Sequence, residues 1–533
     1  MLRNATLIAF LLFALPALAA TIYVPGDYAQ IHDAVQAASS GDVVLVDAGT
    51  YNDCTHETEG PESTPACVIM KTGVTLRGAG PDATIIDAQG IGRGIFIEAV
   101  SNCSVENLQV RGAYAAIYGA GILIREVGND VVISDVKITE NLDGGLICYD
   151  NASPFLLRLH CYNNEAKQGG GISVEEFSSP VIESCIVENN EAPSGAGIFI
   201  RNQSDATILY CTITGNVINA AYGNGGGICV TGSSPTISGC EINGNTTLGY
   251  GGGVSYLNNS GGSLSNSRIN DNIASGDNSL GGGISVNGST PLIEYCLIAR
   301  NSLTGVYGDG GGVDCTASPS ATFDHCTIIE NSTVGSAGGM FFQYGADPVI
   351  QYSMILNSTA GEALYCSFGG SPTVSCSNIY GNAGGDAICG IDSGNNISAD
   401  PLFCGDPEMY VPGSESPAAD LCGDFCGYIG AGCGETGVDA PASFQLLGNY
   451  PNPFNPSTTI AFMLDEPASA ELIIRDVQGR AVKHITLGDL PAGRHESAWN
   501  GRDNNDRPAA SGVYFYELHA MGMKQSRRMI LIK

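Results

Sequence analysis

One phrase recurs through the middle of this 533-residue chain and leaves few folds open to it. Between about Gly169 and Asn357, a Gly-Gly-Gly-Ile run, a Ser/Pro/Ile segment and Cys-x-Ile-x-x-Asn follow one another. The phrase is clearest at Gly225-Gly226-Gly227-Ile228, Ser234-Pro235-Thr236-Ile237 and Cys240-Glu241-Ile242-Asn243-Gly244-Asn245. The closing asparagines fall at Asn141, Asn164, Asn190, Asn216, Asn245, Asn272, Asn301, Asn331, Asn357 and Asn382, at intervals of 23 to 30 residues. Gly171, Gly197, Gly227, Gly253, Gly283, Gly312 and Gly339 keep the same beat. A period of this length marks units that cannot bury a face alone and must stack on one another.

The unit is made of strands and turns. Helical repeats need amphipathic stretches of ten or more residues, and none fits between these glycines, prolines and asparagines. Each phrase instead holds two or three short runs rich in Ile and Val, broken by Gly, Ser-Pro or Asn. Residues three and five before each closing Asn share a face of the strand. The inner column is therefore expected to be Ile138, Val187, Ile213, Ile242, Ile269, Ile298, Ile328, Met354 and Ile379, beside a second containing Cys185, Cys211, Cys240, Cys296 and Cys326. The asparagines suit a bend, where stacked amides hydrogen-bond up the column.

These residues resemble the right-handed parallel β-helix of the pectate-lyase-like superfamily, with its asparagine ladder. The pairing of Gly-Gly-x-Ile with x-x-x-Asn is similar to the repeats of polymorphic outer-membrane adhesins. The resemblance covers roughly residues 21 to 440 and implies the fold. It leaves lyase, hydrolase, esterase, epimerase, adhesin and inert stalk all open.

The chain ends carry their own signals. Arg3, the apolar run Leu7 to Leu15 and Ala17-Leu18-Ala19 read as a secretory signal peptide over residues 1–19. No other apolar run approaches membrane-spanning length. In Tyr28 to Ala38, Ile31, Ala34, Val35 and Ala38 share a helical face, so a short helix is expected to cap the first coil of a solenoid over 20–433. Residues 434–442 read as a linker. Beyond it, Tyr450-Pro451-Asn452-Pro453-Phe454-Asn455-Pro456 and strands near Ala470–Arg475, Arg494–Trp499, Val513–Leu518 and Arg528–Ile532 resemble a small Ig-like sandwich of the flagellar-hook-capping or type IX sorting type, over 443–533. The expected fold class is all-β: a right-handed parallel β-helix solenoid followed by an Ig-like antiparallel β-sandwich. The second resemblance implies export by a secretion machinery and retention at the cell surface.

Charge narrows the partners. Residues 441 to 533 hold 10 Lys plus Arg against 9 Asp plus Glu, leaving 12 against 45 upstream. Nucleic acid and anionic membrane are poor partners for such a surface. Nineteen cysteines behind a signal peptide point to an oxidising compartment. Cys315 with Cys326, and Cys148 with Cys161, are candidate bridges across one coil. The stacked column of Cys185 and Cys211 reads as buried thiols. No Cys or His spacing supports zinc, and the Gly-Gly-x-Gly-x-Asp calcium repeat is absent.

A polyuronate lyase or hydrolase on such a coil needs clustered carboxylates, a base, and for lyases usually Ca²⁺; no other cofactor is implied. The outward column Ser173, Phe199, Cys229, Ser255, Ser285, Asp314, Phe341 holds one acid. The best catalytic constellation is Asp309, Asp314 and His325, with Arg300 one coil away. A binding reading uses Tyr222, Tyr250 and Tyr307, which precede the glycine run in three coils and offer ring faces to sugars. Two functions stay open: a secreted or surface-held module that binds a polysaccharide or surface glycan, or a polysaccharide lyase or hydrolase.

Overall fold

The computed structural model describes residues 19–58, 64–114, 120–318, 320–404, 411–412, 416–418, 444–450, 456–464, 467–476, 480–491, 493–504, 507–510, 512–520 and 523–531. Residues 1–18 of the expected signal peptide, the linker 434–442, and Cys422, Cys426 and Cys433 lie outside them. No helix among the described residues is long and apolar enough to cross a membrane. The chain forms two compact units, one of 1–375 with 379–396, the other of 376–378 with 397–533.

The first unit is a parallel solenoid. Its strands form three long sheets, one of 15 strands and two of 13, in which neighbours come from successive coils and pair in parallel, apart from the antiparallel hairpin of His56–Glu57 with Pro65–Ile69 that starts the third. Each winding crosses the first, second and third sheets in turn. The first sheet places Ile182, Ile208, Ile237, Leu264 and Ile293 in one register line. The second does the same with Ile213, Ile242, Ile269, Ile298 and Ile328. The third gives two inward lines, through Ile228 and Val254, and through Val230 and Tyr256. All these side chains are fully buried. Stacking identical β-branched residues at the spacing of one strand removes almost all their surface from water and suits their restricted rotamers. The helix Ile31–Ala37 buries Ile31, Ala34 and Val35 against the first coils, as expected of a cap.

An asparagine ladder runs from Asn141 to Asn331 inside the bend that follows the second sheet. Asn272 Nδ2 donates to Ile242 O (2.9 Å) and to Asn301 Oδ1 (2.9 Å), while Asn272 Oδ1 accepts from the backbone N and Nδ2 of Asn245, both at 3.0 Å. Each amide thereby satisfies backbone groups that the bend would leave buried and unpaired. The glycine one coil position on is required by closeness. A Cβ on Gly227 would lie 2.7 Å from Gly253 O and 3.0 Å from Asn245 Nδ2.

The ladder departs from the expected spacing in one coil. Ile328 pairs with Ile355, not with Met354, and the ladder position is taken by Ser358, whose N–H donates to Asn382 Oδ1 at 3.0 Å. Asn357 instead occupies the preceding left-handed position (φ 49°). Asn favours both positions, so the letter alone does not say which one it fills.

The expected disulfides Cys148–Cys161 and Cys315–Cys326 are absent, and all four thiols are free and buried. Cys148 stacks between Ile124 and Val174 in the third sheet, whereas Cys161 stacks between Ile138 and Val187 in the second. Cys315 lies between Val286 and Phe342, while Cys326 sits in the bend between the first and second sheets and donates to Ile293 O (3.3 Å). Each sulfur fills an apolar slot in its own column, so none faces its expected partner across the interior. Burial pushes the Cys161 and Cys326 thiols up to about 12, which leaves them unreactive. Among the described residues, bridges join Cys54 to Cys67 and Cys366 to Cys389, and Cys376 is disulfide-bonded as well.

The second unit contains a three-stranded antiparallel sheet (Phe444–Tyr450, Thr458–Leu464, Gly493–Trp499) and a four-stranded one (Ala481–Leu490, Ala468–Asp476, Gly512–Ala520, Met523–Leu531). Ile460, Phe462, Leu472, Ile474, Trp499, Tyr516 and Leu518 form its core. Trp499 Nε1 donates to Arg502 O at 2.8 Å, which satisfies its buried N–H.

Three expectations follow. Ile242→Asp should abolish the cooperative thermal transition, because it leaves a charge in a dry column, and Asn272→Ala should lower stability by about 3 kcal/mol in denaturant melts by orphaning several buried groups. Unfolding in iodoacetamide without reductant should alkylate Cys148, Cys161, Cys315 and Cys326, with Cys54 and Cys67 recovered as one linked peptide on mass mapping.

Candidate functional site

The third sheet turns a line of side chains away from the core: Phe96, Leu123, Ile147, Ser173, Phe199, Cys229, Ser255, Ser285, Asp314, Phe341 and Tyr365 in register. Its expected outward direction holds, yet from Phe96 to Phe341 the line is buried. Chain on either side rises above the strands and makes the line the floor of a groove. On one side, each ladder asparagine is followed by a loop. Four of these loops begin with paired two-residue strands, Thr246–Thr247, Ile273–Ala274, Ser302–Leu303 and Ser332–Thr333. The loops end in a column of parallel bridges through Ser194, Asn224, Tyr250, Leu280 and Asp309. On the other side, a line through Arg201, Thr231, Leu257, Asn287, Thr316 and Gln343 is followed by a tight corner.

Near its far end the groove opens into a cavity of about 520 Å³. Asp314, Ser285 and Phe341 lie on its floor. Tyr250, Tyr307 and Asp309 line the loop side, and Gln343, Tyr344 and Phe368 line the corner side. Tyr344 and Phe368 hold left-handed backbone (φ 52° and 44°) at a corner that Asn202, Gly232, Asn258 and Gly288 fill in earlier coils. Bulky side chains are disfavoured there by about 1 kcal/mol each, and both project into solvent at 59% and 73% exposure. Their rings stack at 5.2 Å, and Phe341 stacks on Tyr365 at 6.0 Å.

Asp314 is the electrostatic centre of the cavity. Burial raises its carboxyl to about 8, and the charge of Asp309 adds to the rise. Hydroxyl hydrogen bonds from Thr316 (3.1 Å) and Ser285 (3.2 Å) oppose it. Asp314 is therefore mostly protonated at neutral pH. The Tyr250 phenol is raised by burial and by the nearby Tyr222 and Asp314. Asp309 accepts the backbone N–H of Ser336. Ser255 Oγ, one coil from Ser285 on the floor, has no hydrogen-bond partner among the described residues.

Only part of the expected constellation assembles. Asp309 and Asp314 share the cavity. His325 lies at the bend between the first and second sheets, hydrogen-bonded to Asp324 (2.7 Å) and stacked between Tyr295 and Tyr352. Arg300 lies at the end of the second sheet and pairs with Asp271 at 2.8 Å. Spacing along the chain placed all four in one or two coils, but successive strands of a coil face different sides of the solenoid. The tyrosines divide likewise. Tyr250 and Tyr307 line the cavity and Tyr222 does not. Tyr250 occupies the bridge column, while Tyr222 and Tyr307 sit two residues ahead of it. Tyr344, Tyr365 and Phe368 escaped the sequence reading, although each is an aromatic in the coils that follow Asp314. Among the described residues, no group of three or more His, Cys, Asp or Glu is placed to hold a metal ion.

A model of the right handed beta helix region matches residues 72–225 and 218–337, and one of the FlgD Ig-like domain matches residues 452–523. No curated protein matches. Among solved structures, the A-module of the Azotobacter vinelandii mannuronan C-5 epimerase AlgE6 is similar at 15% identity, over 69% of this chain and 93% of that one, with a TM-score of 0.38. Pectate lyase Pel9A is similar at 14% identity, over 79% and 93%, with a TM-score of 0.35. Latent PorU from Porphyromonas gingivalis matches 18% of this chain at 18% identity and a TM-score of 0.16, and the match spans 10% of PorU. From its coil register and these matched regions, the chain is a right-handed parallel β-helix protein with a C-terminal Ig-like domain of the FlgD type.

Proposed function

We propose that the groove on the third sheet binds a polysaccharide chain, and that the protein is a secreted or cell-surface glycan-binding module held or exported through its Ig-like domain. The observation that carries this reading is the cavity itself. Tyr250, Tyr307, Tyr344 and Phe368 stand around a floor of hydroxyl and carboxyl groups, an arrangement that offers apolar faces to sugar rings and hydrogen bonds to their edges. A closed pocket would suit a small metabolite, whereas an open groove along stacked coils suits an extended chain. Type IX sorting and the export route follow the resemblance of the C-terminal segment, adhesion follows that of the repeats, and all belong to the same proposal.

One observation favours a second reading, a hydrolase or lyase. Asp309 and Asp314 share the cavity, and Asp314 keeps its proton at neutral pH, the state that a general acid needs. In that reading Asp314 protonates the leaving oxygen and Asp309 is the second carboxyl group of the pair. His325 and Arg300, on other faces of the solenoid, take no part, and Ca²⁺ would matter only for a lyase.

A polysaccharide panel, incubated with and without Ca²⁺, separates the two. We expect retention of the protein without new reducing or unsaturated ends; their appearance would replace binding by catalysis. Tyr307→Ala with Phe368→Ala should weaken retention about tenfold and leave the melt unchanged. Equal retention would remove the aromatic walls from the reading.

The state of Asp314 is checked independently. Its folded carboxyl is raised above the unfolded value of 3.8, so the fold binds more protons than the unfolded chain between about pH 4 and 8. Stability contributed at this site falls as pH rises through that window and is level above it. Asp314→Asn should therefore melt higher than the parent at pH 8, and the difference should close as pH falls toward 4.

A further inference from the structure

The cavity lacks a kind of side chain that a charged glycan would require. Among the described residues, no Lys, Arg or His lines it. Its polar groups are hydroxyls, amides and the two carboxylates. On the lateral line that carries Asn287, Arg201 lies three coils away and is paired with Glu175 at 2.5 Å. A uronate sugar brings a carboxylate into such a site, and guanidinium or ammonium groups are the side chains that meet it. Here it would meet Asp309 with no counter-charge. The balance of 12 basic to 45 acidic residues upstream of residue 441 adds repulsion at longer range. The ring faces of Tyr307, Tyr344 and Phe368 need no charge on the ligand, because they pack against the C–H faces of a pyranose.

We propose that the groove takes a neutral, hydroxyl-rich oligosaccharide and excludes polyuronates. The proposal rests on the reading of the cavity as a glycan site and adds the class of glycan to it. Asp314, neutral at pH 7 because it is buried, fits this class. It donates a hydrogen bond to a sugar hydroxyl without adding a second negative charge beside Asp309.

The test is an array of neutral and uronate-containing oligosaccharides probed with the full chain at pH 7, once with EDTA and once with Ca²⁺, followed by titration of the best neutral and the best uronate ligand. Neutral ligands should bind at least about tenfold more tightly in both conditions. Asp309→Asn should narrow that gap by improving uronate binding, and Tyr307→Ala should weaken neutral binding. Preferred uronate binding that Tyr307→Ala abolishes, with or without Ca²⁺, would overturn the exclusion of polyuronates while leaving the glycan site in place. Silence across the array, or neutral binding untouched by Tyr307→Ala and Phe368→Ala, would overturn the reading of the cavity itself.

Discussion

The solenoid depends on one translation, from each coil to the next, repeated without slip. Parallel strands alone do not enforce it, because a parallel pair shifted by one residue keeps most of its hydrogen bonds but turns its side chains to the opposite face. The asparagine ladder resists such a shift. Each buried amide bonds to the amide of the next coil and to a backbone carbonyl of the preceding one, so a slip would strand several polar groups in a dry interior at once. Columns of Ile and Val supply the burial energy, and the ladder sets which residue meets which.

With the scaffold fixed in this way, the groove arises by substitution along a line that the core does not use. The outward line of the third sheet begins with Phe96, Leu123 and Ile147, apolar and packed with Ala66 and Ala120. It passes through small side chains at Ser173, Ser255 and Ser285 and reaches Asp314, Phe341 and Tyr365, where the cavity lies. The inward neighbours from Ile95 to Leu364 stay buried and apolar. Chemistry can therefore vary from coil to coil at little cost to the fold, and loops that tolerate different lengths form one wall.

The fold was legible because its signal repeats. Each inward position is sampled about ten times, so the occasional Cys or Met does not hide the column. Boundaries of single coils were harder to place, as Asn357 and Ser358 show. Asn serves both the left-handed corner and the ladder, and only pairing with the neighbouring coil separates the two. The site was less legible, because it is made where the period fails. Asp314 and Asp309 were found through their place beside the glycines. Tyr344 and Phe368 were missed because aromatics at a corner that in earlier coils holds Asn, Gly, Ala or an acid read as ordinary turn residues. His325 and Arg300 were wrongly joined to the acids because closeness along the chain was taken for a shared face, although each coil turns through three faces in 23 to 30 residues.

The four paired strands that open the loops after Asn245, Asn272, Asn301 and Asn331 have an evolutionary consequence. They tie the loops to the same rise as the sheets, so a genetic duplication of one complete winding would insert a floor residue, a wall residue and a corner residue together. The trough would grow by roughly 4.8 Å, with every other line still in phase. Chains of this type can thus lengthen or shorten the trough by copying or deleting a whole winding, without redesigning any contact inside it.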